Sequence, residues 1–129
     1  MATEQQLRAD YLRWVEANNS KNVDLLDRTT DEFLARDCVW HHSAFADPWQ
    51  GPEGIKRFVH AVFKDHPDIR IAVEDLLVEG DKIAARWTIH STHPETGKPR
   101  RMMNIHVMRC VEGKVAECWQ LTGDWEDEG

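Results

Sequence analysis

The spacing of apolar residues predicts a helix at the start of the chain. Apolar side chains recur at helical intervals from Leu7 to Val15. Thr3 precedes them and Gln6 follows it by three places, which is the pattern of a capping box. A first helix is therefore expected over about Glu4–Asn18.

Two more helices are predicted before residue 65. A short helix is expected over Asn22–Arg28, and Asp31 can cap a further turn through Leu34. The third begins at Pro52, because proline is tolerated in a first turn, and its broad apolar face runs to about Lys64.

Other segments alternate apolar and polar residues with a period of two, which is typical of strands. These strand segments are Asp37–Ser43, Ile69–Glu79, Lys82–Ser91 and two strands within Met102–Trp125 that join at Val111–Lys114. The segments Ala44–Gly51 and His93–Arg100 read as loops. Since the helices come first and an antiparallel meander comes last, the predicted fold class is α+β.

The final hairpin separates charged from uncharged polar side chains. Arg109 and Glu117 are expected to pair across its outer face. The opposite face carries uncharged polar groups that are costly to bury without partners, so they predict a pocket lined for a ligand. This row consists of Asn104, His106, Gln120 and Thr122.

The outer face of the same hairpin is also apolar. Its exposed positions would be Ile105, Val107, Trp119 and Leu121. An apolar patch of this kind favours association, so a homodimer is expected.

Length, composition and charge indicate which kinds of protein this chain could be. The 129 residues predict a single domain over 1–129, with 41% apolar and 30% charged residues. The formal net charge is −7 without a basic run, which argues against nucleic acid or an anionic membrane as a partner. No apolar run approaches the ~20 residues of a membrane span, and no signal peptide is evident.

The cysteines indicate a compartment. Cys38, Cys110 and Cys118 are odd in number and have no Cys-x-x-Cys spacing. Free thiols in a reducing cytoplasm are the simplest interpretation. The cytoplasm is therefore the expected location.

Alternation also orients the histidines. His41 and His42 face opposite ways in a strand, and Trp40 should face inward, which brings His42 with it. We therefore expect His42 and His106 to face each other across one cavity, where both would not be charged at neutral pH. A metal site built from these histidines lacks any supporting His-x-His or His-Glu-x-x-His spacing, and none is predicted.

Large side chains supply the expected walls of that cavity. Trp14, Trp40 and Trp87 are either core residues or a stacking wall for a ring-shaped ligand. Met108 shares the face of His106 and is expected to adapt to the ligand.

Two segments carry a resemblance to a known family. Residues 50–55 (Gln-Gly-Pro-Glu-Gly-Ile) open the third helix, and residues 112–119 (Glu-Gly-Lys-Val-Ala-Glu-Cys-Trp) form the final hairpin. In this order they resemble the SnoaL-like polyketide cyclases of the nuclear transport factor 2-like superfamily. The resemblance implies a curved antiparallel sheet wrapped by helices into a cone, open to a small hydrophobic ligand, and no cofactor.

The resemblance also implies catalytic residues. In those cyclases a strand histidine and an aspartate after the hairpin tryptophan form an acid–base pair. His106 matches the histidine, but Gln120 stands in place of the aspartate, and an amide cannot exchange a proton at neutral pH. In the related ketosteroid isomerases the base precedes the third helix, and His42 falls close to that place.

The resulting expectation is a cofactor-independent acid–base enzyme, an isomerase, cyclase or dehydratase, acting on a small hydrophobic carbonyl compound. His42 would be the base, His106 the acid or electrophile, and Asn104 and Gln120 the donors to oxygen. The alternative is a non-catalytic binding protein that uses the same cavity. An interaction protein that uses only the outer sheet face is a third class.

Overall fold

A computed structural model describes residues 2–128 as three helices and one curved sheet. The helices are α1 (Glu4–Asn19), α2 (Val23–Phe33) and α3 (Gly51–Asp65). The strands are β1 (Leu34–His42), β2 (Trp49–Gln50), β3 (Arg70–Glu79), β4 (Lys82–Thr92), β5 (Pro99–Val111), β6 (Lys114–Thr122) and β7 (Glu126–Asp127). The α+β class is confirmed.

The sheet has the order β2-β1-β6-β5-β4-β3, and β7 pairs with β5. All neighbouring strands are antiparallel except β1 and β6, which are parallel. The prediction of a fully antiparallel sheet is therefore wrong at this one pair. The long connection from β1 to β6 allows the parallel pairing, because only a tight hairpin forces two strands to be antiparallel.

Several boundaries differ from the prediction. The second helix is continuous from Val23, and Asn22 caps it by accepting a hydrogen bond from the Leu25 amide at 3.1 Å. The turn predicted after Asp31 belongs to this same helix, which ends at Phe33 because Leu34 is already extended and begins β1. Of two further short strands, β2 lies in a segment predicted as a loop and β7 lies beyond the predicted strands, since each forms only where a partner strand is present.

The helices cover the inner face of the sheet. Leu7, Tyr11 and Trp14 of α1 are buried there, and the predicted capping box at Thr3 and Gln6 is present. In β4, Ile83 and Ala85 are buried at alternate positions, but Thr88 further along the strand is buried as well. The core also contains Leu26, Phe33, Leu34, Cys38, Trp40, Ile55, Met108, Cys110, Val115 and Cys118.

The outer face of β5 and β6 carries the apolar patch that the sequence predicts, formed by Ile105, Val107, Trp119 and Leu121. The predicted ion pair is present beside it, with Arg109 Nη2 3.4 Å from a Glu117 carboxylate oxygen.

The three cysteines are buried free thiols. Within residues 2–128, no helix combines the length and the apolar character needed to cross a bilayer.

Candidate active site

An apolar cavity lies between the inner face of the sheet and helices α1 and α3. It has a volume of about 90 Å³. This is less than the ~150 Å³ of a cavity that holds benzene, so a larger ligand must extend into the open mouth or displace side chains. The lining residues are Tyr11, Trp14, Val15, Asn18, Trp40, Trp49, Ile55, Phe58, Val59, Val62, Phe63, Ile69, Ile71, Trp87, Ile89, His106 and Gln120.

Polar side chains gather at the buried end of this cavity. Tyr11, His106 and Gln120 are all buried and lie among tryptophan rings. The partly exposed residues Val62, Phe63 and Ile71 line the other end. A bound molecule that fills this end would therefore displace water from its polar partners, and hydrogen bonds in such an apolar setting are stronger.

The Tyr11 hydroxyl and His106 Nε2 are 2.7 Å apart and share a buried hydrogen bond. The two rings meet edge to face, with centroids 5.4 Å apart. Burial lowers the pKa of His106 to about 3 and raises the pKa of Tyr11, so both groups are neutral at pH 7. The pair is therefore a neutral hydrogen-bonding unit.

The second ring nitrogen of His106 indicates which way this bond runs. His106 Nδ1 is buried without a partner. If Tyr11 donated the shared proton, Nδ1 would carry a buried N–H with no acceptor, which is rare in proteins. If Nε2 donates to Tyr11, only a lone pair is left unmatched, and the phenol keeps its own proton for a ligand. The second arrangement is the one we adopt.

His106 makes stability depend on pH. Its folded pKa lies below the unfolded value of 6.5, so the unfolded chain binds more protons between about pH 3 and 6.5. The stabilisation of the folded state is therefore fully present above pH 6.5 and declines as the pH falls. Between pH 7 and 5 the free energy of unfolding should drop by about 2 kcal/mol more for the native protein than for His106→Gln.

Urea unfolding of both proteins at several pH values would measure this difference. Carboxyl groups titrate in both proteins and cancel in the comparison. Equal slopes over pH 7 to 5 would show that His106 is not held neutral by burial.

Gln120 is oriented by a tryptophan. Trp40 Nε1 donates to Gln120 Oε1 at 3.0 Å, so the amide oxygen is already occupied. The NH₂ end is left to donate to a ligand. Gln120 thus lines the cavity, and its role as a donor to a ligand stays a prediction.

Asn104 lies elsewhere than predicted. It is buried on the face of His106, but it does not line the cavity. Its NH₂ group donates to the Met102 carbonyl at 3.4 Å, and Oδ1 has no partner. In this orientation Asn104 offers an acceptor, so the predicted donor role does not fit. Trp87, its cross-strand neighbour, has an equally unpartnered Nε1–H.

His42 is on the predicted face but outside the cavity. Only 8% of it is exposed, and His42, Gln120 and His106 align across β1, β6 and β5. However, its ring packs among Phe45, Trp49 and Phe58. It borders a second depression, which shares only Gln120 with the cavity. The prediction that His42 and His106 line one cavity is therefore wrong.

The hydrogen bonding of His42 also opposes a role as base. Its Nδ1 accepts a hydrogen bond from the Ala44 amide at 3.1 Å. Burial lowers its pKa, so the ring is neutral and its proton resides on Nε2. The lone pair on Nδ1 is thus already used, and Nε2 carries the proton. His42 therefore offers a neighbouring group a hydrogen-bond donor and no free acceptor for a proton.

The predicted tryptophan wall of the cavity is present, whereas the predicted contact of Met108 with the cavity is not. Trp14, Trp40 and Trp87 all line the cavity. Met108 is completely buried in the core and does not line it, so the prediction that it contacts a ligand is not supported. Met108 lies one inner position beyond His106, past the end of the space.

Sequence reasoning missed Tyr11 as a polar group of the site. It was assigned only to the apolar stripe of the first helix. A signal was available, because Tyr11 is the only tyrosine in the chain and a buried phenol needs a hydrogen-bond partner. The partner lies 95 residues away, however, which the pattern of one helix cannot reveal.

No carboxylate or ammonium group lines the cavity among residues 2–128. The same part of the chain contains no group of three His, Cys, Asp or Glu side chains placed to hold a metal ion. The side chains at hand can therefore polarise and orient a ligand oxygen through neutral hydrogen bonds.

Comparison with known proteins matches residues 9–125 to the model of one family, the SnoaL-like polyketide cyclases. IdmH from Streptomyces antibioticus superposes with a TM-score of 0.79 and 26% identity, over 91% of each chain. A SnoaL-like polyketide cyclase from Agrobacterium tumefaciens gives 0.74 and 21%, over 96% of this chain and 94% of the other. TsrD from Streptomyces laurentii gives 0.76 and 21%, over 95% and 91%. The search of curated proteins returned no match.

Proposed function

Because this chain belongs to the SnoaL-like polyketide cyclase family, we propose that it cyclises or isomerises a small, largely apolar carbonyl compound without a cofactor. The carbonyl oxygen binds at the buried end of the cavity. The observation that carries the proposal is the neutral pair of Tyr11 and His106, which lies at the buried end of the cavity and leaves the phenol proton available to a ligand oxygen.

The chemistry assigned to this site is stabilisation of an enolate-like oxygen. The Tyr11 hydroxyl donates to the substrate oxygen, and His106 Nε2–H donates to the phenol oxygen. As negative charge develops on the substrate, the His106 donor strengthens the phenol as an acid. Gln120 supplies a second donor through its NH₂ group. Donors arranged in this way for a developing oxyanion typically contribute 10²–10³-fold each to turnover.

Ring closure or isomerisation by this route needs a polarised carbonyl more than a strong base. Since the lining side chains offer no carboxylate, the proton leaving carbon passes to water or to a basic group of the substrate itself. This differs from the expectation that His42 is the base, which its bond with the Ala44 amide opposes.

Deuterium exchange tests the proposal without knowledge of the natural substrate. In D₂O, the α-protons of 2-tetralone, a small bicyclic ketone, should exchange faster with the protein than in matched buffer, as followed by proton nuclear magnetic resonance. Exchange requires the same enolate that cyclisation or isomerisation would pass through. A rate equal to that of buffer, across a series of such ketones, would reject enzymatic activation of the carbonyl.

A binding protein that performs no chemistry is the second candidate. The absence of any carboxylate among the described residues that line the cavity favours it. In that case, molecules that copurify with the protein should be recovered unchanged after long incubation. A changed product would favour the enzyme.

The outer patch supports a homodimer as part of the same proposal. Leu121 lies within it and is 66% exposed, whereas Leu77 on β3 is equally exposed, at 68%, but outside the patch. Replacing Leu121 by glutamate would bury a charge in the interface, so light scattering should show a monomer. Leu77→Glu should leave the dimer intact. A native protein that is monomeric at high micromolar concentration would refute the dimer.

A further inference from the structure

Arg100 is a buried cation without a counter-ion. Only 7% of it is exposed, and no carboxylate of residues 2–128 forms a salt bridge with it. Its guanidinium lies 4.0 Å over the ring of Trp125, and Nη2 donates to His66 Nδ1 at 3.3 Å. Its Nε is buried without a partner. A charge in such a place is costly to the fold unless something else pairs with it.

Arg100 does not itself line the cavity, but it neighbours residues that line its mouth. On β5 it occupies the inner face, opposite Ser91, which is one inner position beyond Ile89. Ile89 lines the cavity, and so does Ile69, whose amide donates to the His66 carbonyl at 3.2 Å. Arg100 is six residues from His106 on the same strand, which separates their backbones by about 20 Å.

We propose that Arg100, together with His66, binds a carboxylate group of the ligand at the mouth of the cavity. This inference rests on the proposed function, because it names the substrate class of that site as an apolar carbonyl acid. The planar guanidinium suits a carboxylate held through Nε and a neighbouring Nη. Because Nε is closed off from solvent, the ligand must displace a group that covers the guanidinium, such as the Trp125 ring. His66 adds a donor, because its Nδ1 accepts from Arg100, which leaves the ring proton on Nε2.

The other cation near the mouth already has partners. Lys21 Nζ donates to the Ile69 carbonyl and lies 4.1 Å from the centre of the Phe63 ring. The negative charge of Asp68 also acts on it. Of these two cations, Arg100 is thus the one with a buried N–H group that has no hydrogen-bond acceptor. The net charge of −7 would by itself repel an acid, so a preference for acids requires such a local cation.

A matched pair of probes tests this site. The acid 6-phenylhexanoate and the alcohol 6-phenylhexan-1-ol share one apolar body and differ at the end group. Isothermal titration calorimetry of the native protein should show the acid binding about 10–100-fold more tightly. Arg100→Met should reduce that preference to within about threefold, mainly through weaker binding of the acid.

Two variants serve as controls. Arg101→Met removes a neighbouring arginine that is exposed and pairs weakly with Glu126 at 3.9 Å, and it should keep the full preference. Lys21→Met should keep it too. If Arg100→Met does not fold, Arg100→Lys can be measured in its place. Lysine retains the charge but lacks the two parallel N–H donors of the guanidinium, so it should keep only part of the preference.

The proposal would be overturned if the native protein did not measurably bind the acid, or did not prefer it over the alcohol. It would also be overturned if Lys21→Met, and not Arg100→Met, lost the preference. Finally, equal weakening of both probes in Arg100→Met would overturn it, because Arg100 would then be a structural residue that holds Trp125. These measurements involve no turnover, so they are independent of the test of catalysis. A protein that does not accelerate deuterium exchange but prefers the acid is an acid-binding protein.

Discussion

Replacing His106 by alanine should lower the rate of deuterium exchange into 2-tetralone by about 10²–10⁴-fold. The change removes the group 2.7 Å from the Tyr11 hydroxyl and leaves that phenol without its donor at the buried end of the cavity. The rate is measured by nuclear magnetic resonance, with circular dichroism to confirm that the variant is folded.

The glutamine variant separates two roles for His106. In His106→Gln a side-chain amide can still donate to Tyr11, but it cannot accept a proton. If His106 acts as a donor to the phenol, as its neutral state indicates, glutamine should recover part of the lost rate. If it acts as a base, glutamine should be as inactive as alanine. An unchanged rate in a folded His106→Ala protein would exclude both roles.

Changing Tyr11 to phenylalanine should lower the same rate by about 10²–10³-fold, because it removes one donor to the developing oxyanion. The ring and its packing against Trp14 and Phe33 remain. Since the hydroxyl acts on the oxygen as charge develops, the loss should fall mainly on kcat and less on KM.

A second buried hydrogen bond of α1 provides the control for Tyr11. Trp14 Nε1 donates to Thr30 Oγ1 at 3.1 Å, and Thr30 does not line the cavity. Thr30→Val removes that bond at nearly constant shape, with a similar expected cost of about 1–3 kcal/mol in unfolding free energy. It should retain most of the exchange rate. If Thr30→Val and Tyr11→Phe lose the rate equally, the effect is one of stability and not of chemistry.

Strand alternation was sufficient to assign the faces of the final hairpin. His106 and Gln120 are inward and buried, whereas Arg109 pairs with Glu117 on the outside. The same rule brought His42 inward with Trp40. These assignments hold because neighbouring residues of a pleated strand must point to opposite faces, whatever the strand packs against.

Alternation could not decide which inward residues share a cavity. His42 and His106 are inward on the same sheet, yet Gln120 lies between their strands and three aromatic rings surround His42. Two of those rings come from the β2 segment and α3, which pack onto β1 only in the folded chain. The shape of the cavity depends on how all of these segments pack together, so the sequence of a single segment does not determine it.

The sequence by itself determined the helices, most strands, the family and the inward face that carries His106. Only the tertiary structure decided that Tyr11 of the first helix bonds His106, and that Arg100, in a segment predicted as a loop, is buried without a counter-ion. The physical reason is the range of the interactions. Face and helix periodicity arise between residues a few places apart, whereas the partners and charge environment of a side chain depend on segments that meet only when the core closes.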